Sequence, residues 1–122
     1  MALQSRPWRL SFYVDGRGRN PVREYLDGLP LAERVDVEET MKLLREFGVL
    51  LRMPHARPIT GHAPLWELRP GAQRVLYFAY TGRQFVLLHT FRKQGNKTPI
   101  QEIRLAEKRL AEFLEEHDES TD

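Results

Sequence analysis

The sequence predicts an α+β fold on three observations. Aromatic and β-branched runs at residues 8–14, 65–69, 73–80 and 84–90 have strand composition. The last three are separated only by the turn dipeptides Pro70-Gly71 and Thr81-Gly82, so they read as a three-stranded antiparallel meander. Apolar residues at helical spacing mark helices before and after that meander.

In chain order, the strand at 8–14 stops at the turn cluster Asp15-Gly16-Arg17-Gly18. Asn20 then stands as an N-cap before Pro21, which suits the first helical position. This helix is short, 21–26, and Gly28 ends it. A second helix is expected over 31–47, with Val37, Met41, Leu44 and Phe47 as its apolar stripe and Gly48 as its C-terminal cap. Residues 49–64 form a long connection carrying Pro54, Pro58 and Pro64 together with Arg52, His55, Arg57 and His62. Loops of that length usually bind something or are disordered. After the meander comes a basic loop, 91–97. Thr98-Pro99 opens the last helix, with Thr98 as N-cap and Glu102 placed for the reciprocal capping contact. Ile103, Ala106, Leu110 and Phe113 form its inner stripe, and the acidic end, 115–122, is expected to fray.

One domain spanning 1–122 fits this length, which is sufficient to bury a core. Cysteine is absent, which excludes disulfides and thiolate metal sites. No stretch resembles a signal peptide or a bilayer span, so a cytoplasmic protein without membrane attachment is expected. No metal-spaced histidine cluster, nucleophile triad or phosphate-binding glycine loop is present, and no cofactor is expected. Charge is unevenly distributed. Residues 52–109 hold eleven Lys or Arg against three acids, a local charge of +8 inside a chain of net charge +2. The last thirteen residues hold six acids and no Lys or Arg. A basic stretch of this kind suits a polyanionic partner, foremost a nucleic acid, and is otherwise a solvated surface.

Strand alternation decides which side chains meet. A two-residue turn at Thr81-Gly82 would pair Arg74 with His89, Leu76 with Leu87 and Phe78 with Phe85. Glu67, Arg69, Arg74 and His89 would then share one sheet face, with Trp66, Leu68, Val75, Tyr77, Val86 and Leu88 on the other. One acid, two arginines and a histidine could serve RNA cleavage by the 2′-hydroxyl. That reaction needs a base for the 2′ proton, cations for the phosphorane and an acid for the 5′ oxygen. Glu67 or His89 is a candidate base. Arg69, Arg74 and Lys93 are candidate phosphate ligands. The competing reading is that Glu67 only pairs with a neighbouring arginine across the sheet, and that His89 is a hydrogen-bonded structural histidine.

The ordered set LWELR, QRVLYF and FVLLHTFRKQGNKTPIQEI, followed by an amphipathic helix, resembles the RelE/HigB-type toxins of type II toxin–antitoxin systems, in particular their phage-derived branch. The resemblance covers roughly residues 8–114 and is most specific over 65–99. It implies a twisted antiparallel sheet packed on two N-terminal helices, with a C-terminal helix. It further implies an endoribonuclease that cuts mRNA on the ribosome and leaves a 2′,3′-cyclic phosphate. The implied partners are mRNA, the ribosome and a cognate antitoxin, often a helix-turn-helix protein. Carried over by position, Arg74 matches the phosphate-stabilising arginine, Arg69 the arginine closing L-x-E-L-R, and Arg92, Lys93 and Lys97 the basic loop. Some relatives carry lysines on the first hairpin strand, where this chain has Leu65 and Glu67. Two other readings stand beside the ribosome-dependent nuclease: a non-catalytic RNA- or antitoxin-binding module of the same fold, and a ribosome-independent RNase.

Overall fold

A computed structural model describes residues 7–118. Its elements are β1 (Arg9–Phe12), α1 (Pro21–Asp27), α2 (Leu31–Phe47), a 3₁₀ turn (Gly48–Leu50), β2 (Ala56–Pro58), β3 (Trp66–Leu68), β4 (Gln73–Tyr80), β5 (Gln84–Arg92) and α3 (Ile100–Asp118). Five strands form one sheet in the order β1-β5-β4-β3-β2. The meander β3-β4-β5 is antiparallel as expected, and β2 extends it. β1 joins the far edge parallel to β5, so the sheet is mixed. The strand in the proline-rich connection was not foreseen; three residues are too few to show a period. Among the described residues no helix is long and apolar enough to cross a membrane.

Local signals at the N-terminal helices behave as expected. Asn20 Oδ1 accepts from the Arg23 amide at 3.0 Å, and Pro21 opens α1. Gly48 caps α2 with a positive φ of 57°, its amide donating to Leu44 O. A Cβ there would stand 2.2 Å from Trp8 Nε1, so the close approach of Trp8 also requires glycine. Trp8 in turn stacks on Phe85.

Both faces of the sheet are buried. On one face α1 and α2 contribute Val22, Leu26, Val37 and Leu44 against Leu68, Val75, Tyr77, Phe85 and Leu87. On the other, α3 contributes Ile103, Ala106, Leu110 and Phe113 against Leu76, Phe78, Val86, Leu88 and Phe91. Each of the Val, Leu, Ile and Phe side chains among them is worth about 1.5–3 kcal/mol of transfer free energy. This explains why β4 and β5 read as near-continuous apolar runs: strands covered on both faces need no polar alternation.

The expected β4–β5 register needs correction at two points. The turn spans Thr81, Gly82 and Arg83, pairing Tyr80 with Gln84 and Phe78 with Val86. Gly82 and Arg83 both have positive φ, and three-residue hairpin loops characteristically place a residue in that left-handed region. A bulge then leaves Leu88 unpaired between Tyr77↔Leu87 and Leu76↔His89. Val86 and Leu88 consequently face α3, opposite to Val75 and Tyr77 rather than beside them. The two one-residue shifts add, so Arg74 pairs with Phe91 and Leu76 with His89 instead of Arg74 with His89, but a shift of two restores the expected face, and Glu67, Arg74 and His89 do lie on it.

α3 continues through Asp118, so the part of the acidic end at 115–118 is helical; 119–122 lie outside the described residues. His117 stacks on Phe113 at 3.8 Å between ring centroids, with Nδ1 2.8 Å from Phe113 O.

Candidate nucleic-acid interface

At the end of the sheet where β3 leaves and β4 begins, the loop after β5 folds over a cluster of cations. Arg57, Arg69, Arg74, Lys93 and Lys97 line one small cleft with Glu67, Asn96 and Thr98. β2 supplies Arg57, directly across from Glu67 on β3. The β3–β4 turn supplies Arg69, and β4 supplies Arg74. The loop is held in place by backbone, the Lys93 amide donating to Ala72 O at 2.8 Å.

Glu67 is the hub of this cluster and is 1 % exposed. Its Oε1 accepts from Arg57 Nε at 3.0 Å and from Arg69 Nη1 at 2.9 Å. Its Oε2 accepts from Thr98 Oγ1 at 2.6 Å. Arg57 also donates to Asn96 O, clamping the loop. A carboxylate this buried that already accepts three hydrogen bonds is poorly placed to take a proton from a substrate. As geometry, it is an anchor for two guanidinium groups; the expectation that it could serve as a base has no support in its contacts.

Arg74 is 7 % exposed and donates from Nη1 to Gly71 O and Gln73 O, at 2.8 and 2.7 Å. Burial and the nearby Arg69 push its pKa down from the ordinary guanidinium value, and Glu67 offsets this in part. Arginine keeps its proton even so. The group is therefore a cation crowded by other cations, and an incoming anion relieves that repulsion.

His89 and Arg92 are not in the cluster. The His89 imidazole points to α3, with Nε2 2.5 Å from Glu102 Oε1 and Nδ1 3.4 Å from Arg109 Nη1. Phe91 stacks on its other side. Arg109 can only donate, so Nδ1 accepts and Nε2–H donates to Glu102, which is the neutral tautomer. Burial lowers the His89 pKa, Glu102 partly opposing the effect. Arg92 turns to the opposite face and pairs with both oxygens of Glu33 on α2, at 2.8 and 3.0 Å. Gln73 joins that pair through Nε2, and Tyr25 donates to Gln73 Oε1. Strand alternation separates Arg92 from Lys93, which remains on the cluster side.

The capping box expected at α3 is not formed. Thr98 spends its hydroxyl on Glu67, and Glu102 spends its carboxylate on His89. Arg57 is the member of the cluster that sequence reasoning missed. Its only signal was an arginine in a proline-rich connection, and its position follows from the pairing of β2 with β3.

Chemically, five cations around one buried acid can hold a phosphodiester and stabilise added negative charge on it. Glu67 is the sole carboxylate lining this cleft among the described residues, and no imidazole lines it. No group of three or more His, Cys, Asp or Glu among the described residues could hold a metal.

The chain matches the family described as phage-derived protein Gp49-like over residues 24–111. No curated protein matches it in sequence. Its structure is similar to a chain in the crystal structure of the toxin–antitoxin complex RelBE2 from Mycobacterium tuberculosis, with a TM-score of 0.53 and 20% identity. That alignment covers 71% of this chain and 99% of the other. The likeness establishes a shared α+β fold, and the family match, spanning most of the chain, agrees with the branch its motifs resemble. The protein belongs to the phage-derived Gp49-like family.

Proposed function

We propose that this protein is the toxin of a toxin–antitoxin pair and that it cleaves mRNA on the ribosome. The observation that carries the reading is the cation cluster: Arg57, Arg69, Arg74, Lys93 and Lys97 converge on one cleft, with their only acid buried beneath them. In this reading the RNA 2′-oxygen attacks the adjacent phosphorus and the P–O5′ bond breaks. Arg74 and Arg69 stabilise the charge that builds on the phosphorane oxygens. Lys93 donates a proton to the departing 5′ oxygen. The 2′ proton passes to solvent, since the cleft offers no unengaged base. Glu67 positions Arg57 and Arg69 without touching the reacting atoms.

Such a site stabilises charge well and aligns its substrate poorly. Holding the 2′-oxygen in line with the scissile bond is worth about 7–11 kcal/mol when a larger assembly provides it. The ribosome, which grips mRNA codon by codon, is the natural source of that alignment. A cognate antitoxin, a helix-turn-helix protein by the family resemblance, would silence the toxin in the cell. The experiment is expression in growing cells with primer-extension mapping of a reporter mRNA. Cleavage confined to the translated frame, and lost when the start codon is removed, supports the reading; cleavage independent of translation refutes it.

A second reading is favoured by one observation. The acid of the cleft is buried and accepts three hydrogen bonds, and His89 is held 2.5 Å from Glu102 away from the cleft. A protein so arranged could bind RNA or an antitoxin without cutting. Growth arrest on expression, relieved by Arg74→Ala, would argue against this module.

A further inference from the structure

Beside the cation cluster runs a second groove of about 570 Å³, in the size range of clefts that take small ligands. Arg57, Asn96, Lys97 and Thr98 line both, so the two adjoin. Away from the cations its walls become apolar: Pro58 and Ile59 on one side, Ile100 and Ile103 on the other, with His62 among the lining residues. Ile59 and Ile103 are buried at 8 % and 5 %, whereas Ile100 stands 47 % exposed at the first position of α3. The His62 ring is fixed by Glu107, Nδ1 lying 2.8 Å from Oε2.

We propose that this groove seats a nucleobase of the RNA whose phosphate occupies the cation cluster. The inference rests on the RNA-binding reading above and adds to it a second subsite. Charge complementarity sets one end, because the cations at the junction fix a phosphate there. From any RNA phosphate the next unit outward is a sugar carrying a flat base. A base presents apolar faces and polar edges, and single-stranded RNA is recognised largely through such unstacked bases. The groove offers what that shape needs: aliphatic walls, an oriented imidazole and the polar side chains of Thr60 and Asn96. It also accounts for Ile100, an exposed aliphatic side chain where a helix start ordinarily favours small polar or acidic residues. Discrimination among RNA sequences then resides in this groove, and the arginines grip every sequence alike.

The test is fluorescence anisotropy of the full chain with a labelled six-nucleotide RNA and with its counterpart of equal phosphate count lacking all bases. The wild type should bind the base-bearing RNA about tenfold more tightly, the order supplied by one stacked base. Ile100→Ser should weaken binding of the base-bearing RNA several-fold and leave the abasic RNA unchanged. Ile100→Phe, which enlarges the wall, should tighten the base-bearing RNA alone. Arg74→Ala should weaken both equally. Equal affinity of the wild type for the two RNAs, or Ile100 variants that shift both or neither, would overturn the groove proposal while leaving the cluster intact. Arg74→Ala binding both RNAs as well as wild type would instead overturn the RNA-binding reading on which it rests.

Discussion

Thr98 donates its hydroxyl to Glu67 across 2.6 Å, tying the approach to α3 to the floor of the cation cluster. The hydroxyl that would ordinarily cap the helix is used to finish the coordination of a buried carboxylate. The other oxygen of that carboxylate holds Arg57 and Arg69. The last helix, the edge strand β2 and the β3–β4 turn therefore meet at one side chain.

Glu67→Gln tests whether this carboxylate positions arginines or moves protons. Removing one partner of a buried ion pair can cost 3–5 kcal/mol. Here the arginine side chains are 34% and 19% exposed and can be rehydrated, so a loss of about 1–2 kcal/mol is expected. RNA binding should weaken with it, because Arg57 and Arg69 lose their orientation. Urea unfolding and oligonucleotide binding measure both. Unchanged stability and binding with a collapsed cleavage rate would mean that Glu67 is a base after all.

Arg74→Ala should lower the cleavage rate by about 10²–10³, as removal of a charge-stabilising donor does. The fold should survive. The lost hydrogen bonds to Gly71 O and Gln73 O cost about 1–2 kcal/mol in sum, since those turn carbonyls can turn to water. Thermal unfolding beside a growth-inhibition assay measures the two effects. Full toxicity, or an unfolded variant, would contradict the assignment.

The basic loop splits into two functions. Lys93→Gln and Lys97→Gln together should reduce the salt dependence of RNA binding by the equivalent of about two phosphate contacts. Arg92→Gln should leave that slope unchanged, because Arg92 is bound to Glu33 on the other face. Binding constants across a salt series decide it. A slope altered by Arg92→Gln would show that this ion pair opens on binding.

Part of this architecture is legible in the residues themselves. Helices α1 and α2 were legible because their signals are local: Asn20-Pro21 at one start, Gly48 at one end, and a stripe through Val37 and Leu44 between. The division between Arg74 and Arg92 was not, because it depends on register. A third turn residue, Arg83, and a bulged Leu88 each move β5 by one position, and neither leaves a pattern in a strand buried on both faces. Arg57 was hidden for a related reason. Its place beside Glu67 comes from a three-residue pairing between distant segments, which no local propensity announces.

Stability should fall in mild acid because of His89. Burial holds its folded-state pKa below the ordinary 6.5, so the fold favours the neutral ring. The stabilisation is complete above pH 6.5 and is lost as pH drops through the lower folded value. His89→Gln, which can still donate to Glu102, should flatten the acid side of the profile. Denaturant midpoints between pH 5 and 8 measure this; a wild-type profile that rises toward acid would mean that the Glu102 pairing outweighs burial.

Ribosome-dependent cleavage is tested by incubating purified protein with end-labelled mRNA, with and without programmed ribosomes, and analysing the ends produced. The predicted result is negligible cleavage of free RNA and clear cleavage on ribosomes, with a 2′,3′-cyclic phosphate or its hydrolysis product upstream and a 5′-hydroxyl downstream. Efficient cutting of free RNA, a 5′-phosphate product, or no cutting in either condition by folded protein would contradict it.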